Sequence, residues 1–396
     1  MHGEGAGAAP ARLRLEGADA LRALAAVAVV VVHTCHWPLQ NGGADLRTWA
    51  WVDLASRFCV PAFVVLSGLL LGLRDGARER PGAFLRRRLR RTLLPFLVWA
   101  PVYCAAGLWL TGDIAGDAVG GWLLGGAGHL YFLLLVPQLY LAYLVWPRRL
   151  EPALRLAAGA LALQLALGAL RLAGPMPPGL DRLALWHGYE LLPFWIGYFA
   201  IGVAAGRLLA RRRDGGDHPR AALACLAVVP AALVLLVASP VTRLRYGEFA
   251  QGTGAFLRPL LVPVVLSLTG AVLLGAPAVL RRLPRLGGPV RALSRDSLGV
   301  YILHPLIAFE LGDDVLKPML QQPLPGSIAG FLLLTAATLA LALLATRLIS
   351  ATPLAPLIGG ERRPLFSAPH HDEGDELLGG GHRPVVAHHP RLGGVD

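Results

Sequence analysis

The chain has 396 residues, of which 55% are hydrophobic and only 16% are charged, and its mean hydropathy is +0.55. Soluble globular domains carry about 25% charged residues, so this composition excludes a soluble fold and indicates a polytopic membrane protein. The net charge of +12 does not indicate nucleic-acid binding, because the arginines cluster between apolar segments, as they do in cytoplasmic loops of membrane proteins.

The first 18 residues are rich in Gly and Ala and carry Arg12 and Arg14, so we expect a short cytoplasmic N-terminal segment over 1–18. The apolar stretch that follows could be mistaken for a secretory signal. It is followed by His36-Trp-Pro-Leu-Gln-Asn, which contains no small-residue cleavage site. We therefore expect the first helix to be retained.

Residues Asp19 to Pro38 are apolar enough to enter a bilayer, yet they include Arg22 and His33. Eleven residues make roughly three helical turns, so the two side chains share one face with a rise of about 16 Å between them. Ionisable groups at membrane depth cost about 2.5–3.5 kcal/mol each and usually mark function. The alternative is that Arg22 snorkels to the cytoplasmic surface and His33 is a packing histidine.

Ten apolar segments of about 20 residues predict an all-α fold with about ten transmembrane helices within a domain over 19–350. Of the 37 Lys and Arg residues, 29 fall in segments on one side and eight on the other, which predicts that both termini are cytoplasmic. The segments are 20–38, 57–74, 92–111, 129–147, 154–172, 189–209, 220–239, 258–280, 297–316 and 327–347.

The second span contains Pro61, which bends a membrane helix, and the pair Ser67-Gly68, which allows another helix to approach closely. For Gly68 we expect helix packing. Ser67 fits packing and cavity lining equally well.

The run Arg86-Arg-Arg-Leu-Arg-Arg91 is the densest cationic cluster in the chain. It fits a topological anchor that meets anionic headgroups. It also fits a phosphate-binding site, because a planar guanidinium binds phosphate oxygens in pairs and Arg88 and Arg91 lie on one helical face. The two interpretations are compatible.

Two later spans carry further polar groups. His129 and Tyr131 stand at the outer end of the fourth span, where they fit either a sugar-binding surface or an interfacial aromatic belt. In the ninth span Ser297, Tyr301 and His304 recur at i, i+4 and i+7 and form a second polar stripe. A ladder of satisfied hydrogen bonds would explain that stripe equally well.

The cysteines contain no Cys-x-x-Cys pair and are scattered through apolar segments, so we expect packing residues and neither a disulfide framework nor a metal site: Cys35, Cys59, Cys104 and Cys225. Residues 351–396 are rich in Gly, Pro and His and have too few apolar residues to form a core. We expect a disordered cytoplasmic tail, in which metal binding would be adventitious.

Five motifs in this order resemble the acyltransferase 3 family of integral membrane acyltransferases. They are Arg22-x10-His33, Arg57-Phe-Cys-Val-Pro-Ala-Phe63 leading into Ser67-Gly68, Arg88-x-x-Arg91 before Pro95, His129-Leu-Tyr-Phe132, and Ser297-x3-Tyr301-x2-His304. The chain is most similar to short members that resemble the enterobacterial common antigen O-acetyltransferase. It departs from many polysaccharide O-acetylases of the family, which carry an acidic pair where this chain has Val136 and Pro137 before Gln138 and Tyr140.

This resemblance implies an O-acyltransferase of the bacterial inner or plasma membrane that moves an acyl group, expected to be acetyl, from acyl-coenzyme A to a hydroxyl of a cell-surface or lipid-linked glycan. It implies His33 and Arg22 as the catalytic residues. His33 either removes the hydroxyl proton as a base, a task that suits an imidazole with an unperturbed pKa near 6.5, or is itself acylated. Arg22 holds a donor phosphate or orients the thioester. No metal and no bound cofactor are expected. The substrate-binding residues implied are Ser67, Arg88, Arg91, His129, Tyr131, Ser297, Tyr301 and His304.

Two other classes of protein fit ten spans. A transporter or flippase could use Arg22 and His33 to couple protons or ions, but it gives no reason for the Arg-x-x-Arg element or the Ser297 stripe. A receptor or scaffold that kept the fold would tolerate loss of His33, whereas an enzyme would not.

Overall fold

The computed structural model describes residues 8–35, 46–73, 80–111, 128–173, 190–211, 219–238, 258–310 and 327–364, with the single residue 179. The segments 36–45 and 174–178 lie outside these ranges. The helices are α1 (Ala8–Thr34), α2 (Leu46–Ser56), α3 (Cys59–Leu73), α4 (Pro81–Thr111), α5 (Tyr131–Val145), α6 (Leu150–Ala173), α7 (Ile196–Arg211), α8 (Pro219–Ala238), α9 (Leu261–Arg282), α10 (Gly287–Glu310) and α11 (Ile328–Ser350).

These described ranges contain helices and 3-10 turns but no β-strand, so the predicted all-α fold class is confirmed. A helix occupies each of the ten predicted spans, and α2 is an additional helix before the second. Six stretches are long and apolar enough, by length and composition, to cross a membrane: Glu16–Thr34, Trp51–Leu73, Gly128–Val145, Leu150–Leu170, Leu261–Arg282 and Ile328–Ser350. The apolar helix Arg220–Leu236 is shorter.

Helix α1 lies at the centre of the bundle and packs against α2, α3, α9, α10 and α11. Its small and aliphatic residues are buried on several sides, including Leu21, Ala25 and Val30, which are all 0% exposed. At Gly17 an added Cβ would lie 2.4 Å from the carbonyl oxygen of Leu273, so the backbones of α1 and α9 are in direct contact. The helix that carries Arg22 and His33 is therefore held on most of its circumference by protein.

Helices α3 and α7 meet through paired glycines. Each helix has two glycines spaced four residues apart, Gly68 and Gly72 on α3 and Gly202 and Gly206 on α7. A Cβ at Gly68 would lie 2.3 Å from the Phe199 carbonyl oxygen, and one at Gly202 would lie 2.1 Å from that of Val65. Small residues at this spacing let membrane helices pack backbone to backbone. The expected packing role of Gly68 is thus observed.

The chain folds back after α11 instead of leaving the bundle at residue 350. Trp99 of α4 donates its Nε1–H to the carbonyl oxygen of Leu357 at 2.9 Å. Gly359 adopts a left-handed conformation with φ of 70° and fits between Leu298 and the backbone of Arg91. The chain thus packs against the bundle up to residue 364, past the boundary predicted at 350, and 365–396 lies outside the described residues.

Charged side chains gather at one end of the bundle, which we call the basic end. The arginines there are Arg22, Arg88, Arg91, Arg295 and Arg347, and the last two both contact Asp296, at 3.4 and 3.2 Å. The positive-inside rule assigns this end to the cytoplasmic side. His33, in the last turn of α1, lies toward the opposite end.

We expect Gly202→Ala to destabilise the protein by about 1–3 kcal/mol, because the added methyl group overlaps the α3 backbone and neither helix can yield. The measurement is thermal unfolding of the purified protein in detergent. Gly159→Ala in α6 is the control, since no atom lies within 4 Å of the Cβ position and the side faces outward. That control should be neutral or stabilising by about 0.5–1 kcal/mol. Equal unfolding temperatures for the two variants would contradict the packing described.

Candidate active site

Three histidines from distant parts of the sequence meet in the half of the bundle away from the basic end. They are His33 at the end of α1, His129 in the 3-10 turn Gly128–Leu130 before α5, and His304 in α10. The His33 ring lies 4.8 Å from the His304 ring and 6.1 Å from the His129 ring, centroid to centroid, and the other two are 5.7 Å apart. We call these three residues the histidine cluster.

The three rings differ in exposure. His304 is 0% exposed and His129 is 9% exposed, whereas His33 is half-buried. His129 and His304 therefore form the wall behind His33. Of the three rings, His33 is the one that an incoming molecule reaches first.

Hydrogen bonds fix the tautomers of the two buried rings. His304 Nδ1 lies 2.9 Å from the Val300 carbonyl oxygen, and His129 Nε2 lies 3.3 Å from that of Ile302. A carbonyl oxygen can only accept, so each of these nitrogens carries the proton. His304 Nε2 is then the ring's basic nitrogen, and it has no hydrogen-bond partner within the described part of the chain.

The Ile302 carbonyl oxygen of α10 accepts hydrogen bonds from side chains of two other elements. Its donors are Tyr103 Oη of α4, at 2.6 Å, and His129 Nε2, at 3.3 Å. One carbonyl of α10 thereby connects α4 and the turn before α5 to the histidine cluster.

Tyr301 completes this set of contacts. Its hydroxyl donates to the His129 carbonyl oxygen, and its ring lies 5.5 Å from the His129 ring. The surroundings are apolar and aromatic, with Phe132 5.9 Å from Tyr301 and Phe309 6.4 Å from His33, measured between ring centroids. Apolar surroundings strengthen the electrostatic interactions between the polar groups that they contain.

At the basic end, Arg22 forms a closed triangle with two neighbours. Its Nη1 donates to Asp19 Oδ1 at 3.3 Å and to Ser294 Oγ at 3.1 Å, and Ser294 Oγ donates to Asp19 Oδ1 at 2.7 Å. The Arg22 side chain is 20% exposed. The arginine is therefore positioned by α10 and by its own helix and does not extend freely to the membrane surface.

Arg88 and Arg91 of the Arg-x-x-Arg element have different surroundings. The Arg88 guanidinium lies over the rings of Phe84 and Tyr140, at 5.7 and 5.5 Å, and is close enough to Arg22 to interact with it electrostatically. Arg91 is paired with Glu361 at 2.5 Å. Arg88 therefore belongs with Arg22, while Arg91 ties the C-terminal segment to α4.

The structure brings some of the predicted site residues together and separates others. His33, His129, Tyr301 and His304 are in contact, and Arg22 and Arg88 are neighbours at the basic end. Ser67 donates to the Phe63 carbonyl of its own helix at 2.8 Å. Tyr131 stacks on Trp195, 6.0 Å away, and Ser297 is buried one turn from Tyr301 on the basic side.

Sequence reasoning missed several residues of these two regions. Tyr103 gave no signal, because it is a single polar group in an apolar span. Ser294 stands one turn before Ser297 on the same helical stripe, so the spacing could have indicated it. Asp19 begins the apolar stretch that carries Arg22, but no partner was predicted for it. Glu361 falls in a segment expected to be disordered.

The four cysteines are free, and Cys35 and Cys59 are buried. Within the described residues, no group of three His, Cys, Asp or Glu side chains is arranged to hold a metal ion.

A family model described as an acyltransferase domain matches residues 15–347, which include all five motifs. The chain belongs to the acyltransferase 3 family. No curated protein and no solved structure matches it. Membership makes this acyltransferase a multi-pass membrane enzyme that transfers an acyl group from a donor to an acceptor. Between the enzyme, the transporter and the receptor, the family match decides for the enzyme.

We expect Tyr301→Phe to lower kcat about tenfold, because the turn that carries His129 loses its donor and the cluster loses its geometry. Tyr143→Phe is the matched control. The Tyr143 hydroxyl donates to the Leu71 carbonyl at 2.7 Å. Tyr143 is buried like Tyr301 but lies outside the histidine cluster. Each substitution should cost about 1 kcal/mol of stability. Acyl-transfer assays together with unfolding curves separate the two effects, and equal activity of the two variants would contradict a positioning role for Tyr301.

Proposed function

We propose that this acyltransferase moves an acetyl group from acetyl-coenzyme A to a hydroxyl of a cell-surface or lipid-linked glycan, with His33 as the general base. The observation that carries the proposal is the arrangement of the histidine cluster, in which a half-buried His33 ring lies against two buried rings held by backbone carbonyls. An alcohol is a weak nucleophile at neutral pH. A positioned imidazole that removes its proton contributes about 10²–10⁴-fold to such a reaction.

In the proposed reaction the acceptor hydroxyl donates its proton to His33 while its oxygen attacks the thioester carbonyl carbon. The new ester C–O bond forms, the C–S bond breaks, and the coenzyme A thiolate takes up the proton from the His33 imidazolium. The His304 ring, whose centroid lies 4.8 Å from that of His33 and whose Nε2 carries a lone pair, stabilises the imidazolium between these two steps. His304 therefore acts through His33 as a positioning residue.

The donor binds, in this proposal, with its phosphates at the basic end. Arg88 is the principal contact, because its guanidinium lies on the faces of Phe84 and Tyr140 and pairs with no carboxylate in the described residues. Arg22 is the second contact, and its triangle with Asp19 and Ser294 fixes its direction. The thioester arm then follows the face of α1 from Arg22 toward His33, over a rise of about 16 Å.

The acceptor reaches His33 from the end of the bundle that the charge bias places outside. Phe309, which is 43% exposed, lies beside His33 on that approach and offers a surface for a sugar ring or a lipid-linked chain. Gln138 does not substitute functionally for the acidic pair found in related acetylases. Its side chain is committed to the Glu190 carbonyl at 2.6 Å and the Leu192 amide at 3.1 Å.

The substrate class is tested by mass spectrometry of glycans and lipids from cells with and without the gene. A glycan species that loses one acetyl mass identifies the acceptor. An acyl mass lost from protein alone would contradict the proposal.

We expect His33→Ala to lower acetyl transfer at least 100-fold while leaving a folded, membrane-inserted protein, since removing a polar group from a bilayer helix does not oppose insertion. The measurement is transfer from labelled acetyl-coenzyme A by purified protein, with gel filtration as the folding check. His36→Ala, outside the described residues, removes a histidine that is not part of the motif and should keep most of the activity. Activity of His33→Ala within a few-fold of the wild type would rule out the general base.

We expect Arg88→Ala to raise KM for acetyl-coenzyme A about tenfold, with less change in KM for the acceptor, because a charge-assisted phosphate contact is lost. Arg91→Ala should have a smaller effect on KM, since Glu361 already neutralises that guanidinium. Added salt should weaken donor binding in the wild type more than in Arg88→Ala. A lower membrane yield with unchanged kinetics would instead indicate that Arg88 acts only in topology.

A further inference from the structure

A second cationic surface lies at the basic end, away from Arg22 and Arg88. It is an open depression of about 200 Å³ where the ends of α3 and α7 meet the link between α5 and α6. Three arginines line it: Arg148 in the link, and Arg207 and Arg211 in the last turns of α7. We call it the arginine depression.

Arg207 is the unusual member of this group. It is only 8% exposed, and its Nη1 donates to the Pro147 carbonyl oxygen. Its Nη2 is buried and has no hydrogen-bond partner in the described residues. Burying a charged donor without an acceptor costs free energy. An acceptor supplied by a bound ligand would offset this cost. Arg148 and Arg211, in contrast, are exposed.

Among the residues that the structure describes, no acidic side chain lines the depression to balance these charges. Glu151, which follows the lining residue Leu150 in α6, is paired with Arg155 on the exposed side of that helix. The beginning of α6 at Leu150 also lines the depression, and helix N-termini attract anions.

The ends of α3 and α7 oppose this attraction, because helix C-termini carry partial negative charge. Each contributes about half of one charge, so two helix ends balance one arginine and not three. Among the described residues, the helix ends therefore leave an excess of about two positive charges. This excess favours binding of an anionic ligand.

The position of the depression favours a lipid as the source of the anion. Large apolar side chains on the flanking helix ends are exposed, including Val145 at 85%, Leu154 at 46% and Leu208 at 41%. In a membrane protein such residues face acyl chains. Basic pockets between helices at the cytoplasmic surface bind the headgroups of anionic phospholipids.

We propose that the arginine depression binds the phosphate of an anionic phospholipid headgroup from the cytoplasmic leaflet. The phosphate oxygens accept from Arg148 and Arg211 and supply the acceptor that Arg207 lacks, while the acyl chains lie along Val145 and Leu208. The site differs from the proposed donor site in both its helices and its arginines. Phospholipid binding is measured directly, so this proposal is tested independently of the proposed acyl transfer.

The experiment is native mass spectrometry of the purified full-length protein in neutral detergent with added phosphatidylglycerol, and with phosphatidylcholine as the neutral lipid. The test variant is Arg148→Gln with Arg211→Gln, which leaves the buried Arg207 in place. The matched control is Arg282→Gln with Arg285→Gln, which removes the same charge from exposed arginines at the end of α9 and just after it. Arg207→Gln is measured as a third variant.

We expect the test variant to bind phosphatidylglycerol about 30-fold more weakly than the wild type, which corresponds to about 1 kcal/mol for each arginine. The affinity of the control variant for phosphatidylglycerol should stay within about threefold of the wild type. All the proteins should bind phosphatidylcholine equally. Equal losses in test and control variants would overturn the site in favour of a diffuse charge effect.

Inorganic phosphate and coenzyme A are tested as soluble ligands by isothermal titration calorimetry. If the test variant loses binding of either one and keeps binding phosphatidylglycerol, the source is a soluble phosphate compound and the lipid assignment is wrong. If Arg207→Gln binds phosphatidylglycerol as tightly as the wild type, the Arg207 guanidinium does not contact the lipid phosphate, and the proposed site is wrong.

Discussion

One backbone carbonyl shared by two side chains is the interaction on which the candidate active site depends. The Ile302 carbonyl oxygen of α10 accepts from Tyr103 of α4 and from His129 in the turn before α5. In a bilayer each polar group must find a partner inside the protein, so these two side chains are satisfied at the helix against which they pack. Two other elements are thereby tied to the place where His304 projects, and this determines the position of the histidine cluster.

The second requirement is that Arg22 and His33 stay apart on one rigid helix. Backbone contact at Gly17 holds α1 against α9, and α10 runs alongside α1 over both of its polar residues. Ser294 meets Arg22 at one end of α10, and His304 meets His33 near the other. Two stripes on two packed helices therefore create two polar regions with apolar packing between them. This arrangement suits a reaction whose charged donor end and reacting carbon lie at different depths.

Much of this architecture follows from the sequence. Apolar length predicted helices at the ten positions, and helical spacing predicted that Tyr301 and His304 share a stripe. The family motifs indicated His129 together with His33. Spacing within one helix could not show which face of α10 meets α1, nor that a tyrosine of α4 reaches the Ile302 carbonyl, because such contacts are set by tertiary packing. Composition also predicted disorder from residue 351, whereas Trp99 and Gly359 fix the chain to residue 364 through single specific contacts.

The partners of the arginines divide them into two kinds. Arg57, Arg91 and Arg347 lie against carboxylates, namely Asp53 at 2.7 Å, Glu361 at 2.5 Å and Asp296 at 3.2 Å. Such a guanidinium has much of its charge balanced within the protein and binds an outside anion less strongly. Arg22, paired with Asp19 at 3.3 Å, is for the same reason the second contact of the proposed donor site and Arg88 the principal one. Arg88 lies on aromatic faces, and Arg207 meets a neutral carbonyl, so both keep their charge unbalanced by any described carboxylate. An apolar bundle retains an unbalanced guanidinium at a cost, and binding an anion offsets that cost. The two surfaces proposed to bind phosphates are those around Arg88 and Arg207.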